Sequence, residues 1–418
     1  MLMDQIKSVV RFESLRNRLR RKRDSGRHTP DMPSFPVTLG LAFTVALVGA
    51  WLIFVGFAEL SGFHVGIWPD ARSPLPKDRL FDLTRSTVTA AGLLAGVFAV
   101  VYAYRKQRIE EANSHRADSD SLGERYQEAA EQLGHERAAV RLAGVYALSR
   151  LADSDSTQRL TICRLLCAYL RMPYKAGSDD MPGEQEVRFT VIKVITEHLS
   201  DPLEETSWCG YDLDFSGAVF DGGSFRGAHF TGGVVDFSGC RFVDGKTHFD
   251  DAKFSGAHVK FGDGDSDPAV FDGGDAFFTG AQFTGGRVSF IFAEFVEGEV
   301  SFGGAIFIGN CVLSFASCIL AGGQISFGGP VWLGAKLASG KISFSGAQLN
   351  SGTLSFIGVD FGGVEVQLDV GLGEAEVVFD EAWFTSGVVS FEGMESINPQ
   401  ISFSDAHTPE KVVTPWPM

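Results

Sequence analysis

The sequence predicts an α plus β-solenoid chain: helices in the N-terminal half, a parallel β-solenoid in the C-terminal half. Three observations predict it. From about residue 212 to 404, Phe recurs at steps of five and seven. The residue two before each Phe is small in the five-residue steps and branched or larger in the seven-residue steps. Ahead of these repeats lie two uncharged apolar runs and several segments with helical spacing.

The stretch FTGAQFTGGRVSF (278–290) shows the unit, with Phe at 278, 283 and 290. A buried helical face returns at three or four residues and a simple strand at two, so neither fits. The pattern is sustained through Phe215, Phe220, Phe225, Phe230, Phe237, Phe242, Phe249, Phe254 and Phe261, and later through Phe295, Phe302, Phe307 and Phe315. Leu320 substitutes before Phe327, and the summed period of twelve returns in Phe344 to Phe356 and Phe391 to Phe403. A sustained period of this kind marks a repeat architecture.

Ala218, Ala228, Ala252, Ala281 and Ala305 precede Phe in the short steps; Val235, Val288, Val300, Leu313 and Ile325 do so in the long ones. Positions i−2 and i share one face of an extended segment, so each unit is a short strand with two inward residues. The residue between is usually polar, as in Gln282, Ser289 and Glu294, and Gly follows closely, where tight bends are needed. Such units turn a corner each time and stack as coils. Burying one Phe ring stabilises by roughly 2–3 kcal/mol before ordering costs, and no coil hides its rings alone.

FSGAVF (215–220), FRGAHF (225–230), FDDAKF (249–254) and FTGAQF (278–283) resemble the pentapeptide-repeat family. The resemblance implies a right-handed quadrilateral β-helix. The alternation of five with seven departs from the family and places a two-residue bulge on every second side. A coil of two short and two long sides holds 24 residues, giving roughly eight coils and, at the ~4.8 Å strand spacing, a rod of about 40 Å.

At 418 residues more than one domain is expected. Charge is uneven: nine Lys or Arg fall in the first thirty residues, whereas residues 205–418 hold 27 acidic and nine basic residues. The six cysteines (163, 167, 209, 240, 311, 318) show no paired framework, and Cys240 and Cys318 fill inward slots as small core residues. Cys163 and Cys167 are one helical turn apart, with no further ligands at zinc-finger spacing.

Residues 37–58 and 86–104 are uncharged and long enough to cross a bilayer, so 37–104 reads as a transmembrane hairpin. The segment between them holds only four Lys or Arg, whereas Arg105-Lys106-Gln107-Arg108 follows the second run. The positive-inside rule then places both termini in the cytoplasm of a multi-pass inner (plasma) membrane protein. The basic segment 1–36 reads as a topogenic charge cluster, or as an amphipathic helix on an anionic leaflet.

Residues 105–204 read as a helical connector: 124–134, 135–152 and 157–172 are helical, and VRFTVIKVITEHL (187–199) has mixed helix and strand character. The connector is expected to cap the first coil. ERAAVRLAGVYALSRLADSD is similar to a HEAT-like repeat, and the order of hairpin, YRKQR, connector and Phe-rich repeats over 205–418 resembles membrane-anchored pentapeptide-repeat proteins of actinobacteria. That likeness implies no reaction.

Several groups invite a chemical reading. In DGDSDPAVFDGGD (263–275), Asp263, Asp265 and Asp267 begin like a calcium loop, but Pro268 replaces the required Gly and Gly274 the bidentate Glu. The segment reads as a solvated loop. Ser289, Ser301, Ser314, Ser326, Ser343, Ser355, Ser390 and Ser402 form a column expected to face outward, with no base at a fixed offset. His229, His248 and His258 are scattered among outward polar positions. No catalytic, cofactor or metal residues are assigned, and no cofactor is expected. The function expected is a non-enzymatic scaffold on the membrane, with the lipid bilayer, an unknown protein and a second copy of the chain as partners. The alternative is an acidic DNA mimic acting on a topoisomerase-like enzyme. The absence of Asp or Glu between Glu299 and Asp360 disfavours it, and direct nucleic-acid binding has no motif.

Overall fold

The computed structural model describes residues 35–60, 77–178, 182–329, 334–391 and 401–407. Most of the basic N-terminal segment, the tip of the expected hairpin and the proline-containing C-terminal tail lie outside the described residues. The chain divides into two units, Met1–Ala117 and Asp118–Met418.

Helix α1 spans Phe35–Leu60 and α2 spans Lys77–Leu133, so both apolar runs are helical, with no helix boundary at 105. Among the described residues, no helix is long and apolar enough to cross a membrane. In the second unit follow α3 (Ala138–Ser154), α4 (Ser156–Leu170) and α5 (Glu184–His198). Asp155 caps α4, its Oδ1 accepting from the Thr157 amide at 2.9 Å. The segment expected to mix strand with helix is helical over Glu184–His198. Its β-branched residues Val187, Val191 and Ile195 recur at helical spacing and are fully buried. That burial outweighs their modest helix propensity.

Helix α5 covers the open end of the first coil. Gly223 takes φ +124°, and a Cβ there would lie 2.7 Å from Ile192 Cδ1, so glycine makes room for this side chain of the helix. The Thr196 hydroxyl donates to the Ser224 carbonyl at 2.9 Å, and the His229 amide donates to the Leu199 carbonyl at 2.7 Å.

The repeats form four rows of parallel strands, each row one side of the coil. One row is an eight-stranded sheet from Leu213–Asp214 to Val388–Ser390, and another is a seven-stranded sheet from His229–Phe230 to Trp383–Phe384. The other two rows merge into one sheet because Ile319–Ser326 and Ala347–Ser355 stay extended around their common corner. Coil length varies more than the uniform 24 residues expected. Val235 pairs with Val259, but Val259 pairs with Val288 and Leu313 with Ile342. The two longer coils carry extra residues at a corner, between Phe261 and Phe271 and between Phe327 and Leu337.

Each short step is a turn plus a minimal strand. In Phe278–Ala281 the Ala281 amide donates to the Phe278 carbonyl at 3.1 Å, and Gly280 takes φ +68°. A four-residue turn with positive φ at its third position favours glycine there. At the long-step corner, a Cβ on Gly286 would meet the Ala257 carbonyl of the coil before it at 2.4 Å.

Inside, the rings stack from coil to coil. Phe215, Phe237, Phe261, Phe290, Phe315 and Phe344 lie with centroids 4.4 to 5.0 Å apart. Phe225, Phe249, Phe278, Phe302, Phe327, Phe356, Phe379 and Phe403 form a second stack at 4.7 to 5.1 Å. The two stacks meet edge to face, as in Phe290–Phe302 at 86° and Phe302–Phe315 at 90°. Leu replaces Phe in two rows, as Leu320 and then Leu349 above Phe295 and as Leu337 above Phe307.

Phe290→Ala should destabilise the solenoid by about 3–5 kcal/mol, because the stacked cavity cannot collapse. Phe290→Leu, which copies the natural leucine rungs, should cost only about 1.5 kcal/mol. Urea melts followed by β-sheet circular dichroism will separate the two. Ser317 occupies the glycine position of its turn at φ +53°. Ser317→Gly should raise stability by roughly 0.5–1 kcal/mol in the same assay, since left-handed strain outweighs the glycine entropy cost.

Candidate functional site

The exterior of the solenoid consists of outward side chains held in register at the strand spacing. The serines form two columns on two different rows, not one. Ser289, Ser314 and Ser343 pair in one row, and Ser301, Ser326 and Ser355 in another. Contrary to expectation, Ser289, Ser301, Ser326 and Ser355 are buried. Neighbouring coils and corner residues close over these short side chains, and the Ser289 hydroxyl donates to the Gly262 carbonyl.

The acidic segment 263–275 is only half a loop. Residues 264–267 are exposed, whereas Val270–Asp272 and Asp275–Phe277 are strands and Phe271 stacks on Phe242 and Phe295. Asp263 Oδ2 accepts from Lys260 Nζ at 2.7 Å, and its Oδ1 accepts from the Asp265 and Ser266 amides. The carboxylate is thus engaged as a turn-forming group. Among the described residues no cluster of three His, Cys, Asp or Glu could hold a metal ion.

The three histidines lie in three different rows. Burial pushes His229 and His258 below the ordinary imidazole value, with neighbouring lysines adding to the effect. All six cysteines are unpaired, and Cys240 and Cys318 are buried in the core. Burial pushes the Cys318 thiol up to about 12, so it stays protonated at neutral pH.

Sequence reasoning missed a buried polar network in the cap. Arg141 Nη2 lies 3.0 Å from Glu184 Oε2, which also accepts from Tyr169 Oη at 2.9 Å. Arg188 Nη2 donates to the Leu170 and Val219 carbonyls, and its guanidinium lies 4.4 Å from the Tyr174 ring centroid. Tyr174 Oη and Gln185 Nε2 both donate to Asp221 Oδ2. The only sequence hint is a charged residue within an apolar helical stripe, as in Arg141 before Val145 and Leu148. The network ties α3, α4 and α5 to the first coil, which is a structural role.

A groove of mixed charge follows one solenoid corner, its lining including Arg226, Lys246, Lys336, His248, Asp250 and Asp251 together with corner glycines. Asp250 is buried and its Oδ2 lies 2.6 Å from Arg226 Nη2 and 2.8 Å from His248 Nδ1, while its Oδ1 accepts from the Thr279 amide. Phe277, in a column otherwise rich in serine, stacks on His248 at 5.6 Å and lies 5.5 Å from Lys246 Nζ. Sequence reading placed His248 here only as an isolated polar residue. The other members are too far apart in the chain for spacing to join them.

Residues 215–264 match the family model described as pentapeptide repeats (9 copies). The matched stretch is the start of the solenoid, and it ends where the inserted acidic loop interrupts the step. Comparison with curated proteins returns no match.

The Lys260 ammonium beside Asp263 holds that carboxyl down at about 2. A depressed carboxyl contributes stability above its unfolded value of about 3.9, and that contribution is lost as pH falls toward 2. Asp263→Asn should therefore remove a pH-dependent component between about pH 4 and 2, leaving the melting temperature flatter across that window. Thermal melts of both proteins over this range will check it.

Proposed function

We propose that the chain is a non-enzymatic scaffold, anchored in a membrane by an α1–α2 hairpin and presenting the solenoid to a protein partner in the cytoplasm. The observation that carries the scaffold reading is the ladder of stacked rings with outward side chains in fixed register. A shape defined by close-packed rungs offers a rigid surface and little catalytic machinery. The right-handed sense of the coil follows the pentapeptide-repeat likeness, and the HEAT-like nature of the cap follows the separate likeness of ERAAVRLAGVYALSRLADSD.

The sequence supports the anchor: no charged residue interrupts 37–58 or 86–104. The exposed faces agree, with Val45, Val48, Trp51 and Leu52 on α1 and Phe81, Val88 and Val100 on α2 left open. Apolar faces of this extent call for cover by lipid or protein. A DNA mimic finds less support, because the acid-free stretch 300–359 lies in the middle of the repeats, where a phosphate mimic needs charge.

The full chain expressed in bacterial membranes should remain in the pellet after alkaline carbonate extraction; release into the supernatant overturns the anchor. A photocrosslinker placed outward at Ile306 or at Glu365 should give the same non-self adduct from one face and not the other. Adducts with the chain itself alone overturn the partner reading.

A further inference from the structure

We infer that His198 is held as an imidazolium at the joint between the cap and the first coil, and that losing its second proton unlatches that joint. The inference goes beyond the scaffold reading and depends on neither the anchor nor a partner. His198 is the last residue of α5 and is 9 % exposed. Its Nε2 lies 2.9 Å from Asp153 Oδ1 on α3, and its Nδ1 lies 2.7 Å from the Val194 carbonyl oxygen. A carbonyl oxygen and an ionised carboxylate can only accept, so both ring nitrogens must donate. Neutral imidazole has a single N–H, and either tautomer would turn a lone pair onto an acceptor at hydrogen-bond distance. Two further features favour the cation. The ring sits at the C-terminus of α5, where the helix dipole stabilises positive charge. It also stacks on the fully buried Trp208, with centroids 4.2 Å apart and planes 17° apart, and an indole face attracts a cation.

The contacts around this ring converge on the joint. The His198 carbonyl accepts from the Trp208 amide at 2.8 Å, and the Leu199 carbonyl accepts from the His229 amide of the first coil at 2.7 Å. Removing one ring proton leaves either Asp153 or the Val194 carbonyl facing a lone pair. The ring then gives up α3 or its own helical turn, and its packing on Trp208 goes with it. The other charged groups nearby are engaged elsewhere. Arg159 of α4 donates to the Ala152 and Glu205 carbonyls, and on α5 Lys193 pairs with Glu197. In the segment that follows, Asp201 accepts from the Leu203 amide and the Cys209 thiol donates to the Leu199 carbonyl. On the first coil, burial pushes the His229 ring below the ordinary imidazole value. Among the described residues, Asp153 is thus the counter-charge of the His198 ring. Protonation closes the latch, so its contribution is present at low pH and lost as pH rises. Histidine changes charge between about pH 5 and 8, which makes such a latch responsive near neutrality.

The test is hydrogen–deuterium exchange of the detergent-purified full chain between about pH 5 and 9, corrected for the intrinsic exchange rate. Protection of the Trp208 and His229 amides should fall at least about tenfold as the pH rises. Imidazole nitrogen NMR at the acid end should show both His198 nitrogens protonated. Asp153→Asn removes the counter-charge and keeps an acceptor, so the fall should move to lower pH by about one unit. His198→Gln should show low protection at every pH, and His229→Gln should keep the response of the parent. Should His198→Gln not fold, Asp153→Asn carries the test. A flat response in the parent, an unmoved response in Asp153→Asn, or loss of the response in His229→Gln overturns the proposal. So does a single protonated nitrogen on His198 at acid pH.

Discussion

Face-to-face stacking of phenylalanine rings at the backbone's own repeat distance is the constraint on which the solenoid depends. Neighbouring parallel strands are spaced by about 4.8 Å, and offset aromatic stacking tolerates the same separation. The centroid distances of 4.4 Å in Phe261–Phe290 and 5.0 Å in Phe271–Phe295 show both demands met together. Across the core the stacks contact edge to face, which fills the section without leaving voids. A missing ring is felt by its neighbours above, below and across the core, so insertions are excluded from the interior. They leave at corners, as the loop after Phe261 does.

A stack of rings has ends, and its first rung must be covered. The cap does so with β-branched residues of α5, and Gly222 and Gly223, both at positive φ, leave room for the side chains of Phe189 and Ile192. The buried pair Arg141 and Glu184, with Tyr169, Arg188, Tyr174 and Asp221, is a costly way to hold helices in place. Buried ion pairs add little net stability but penalise misplacement heavily. Here they join three helices and the first coil in one hydrogen-bonded set, which fixes the angle at which the cap meets the rod.

With the core so constrained, variation falls on the outside. One rung can carry Ser, His or Phe outward while the inward Phe that follows stays unchanged, as Ser224, His248 and Phe277 show ahead of Phe225, Phe249 and Phe278 in adjoining coils. Binding chemistry and folding chemistry are thereby separated onto opposite sides of the same two-residue strands. A corner adds what a flat row lacks: glycines that expose backbone, and side chains from two rows that converge.

The sequence by itself determined the inward set, the glycine corners and the helical segments ahead of them. The inward Phe residues are buried from Phe215 to Phe391, with Ile401 and Phe403 of the last described unit half-buried, because period-two burial and strict corner chemistry leave their mark locally. The division into successive helices after residues 134 and 152 was legible for the same reason. Tertiary structure alone decided which units stand above which. Coils that run from Val235 to Val259, but from Val259 to Val288, cannot be aligned by counting a fixed period. Hence one column of serines became two, each only partly buried, half of an acidic loop became strand, and a segment of mixed propensity became helix under burial. The groove belongs to the same class, since Arg226 and Lys336 line one corner only because the coils between them are stacked.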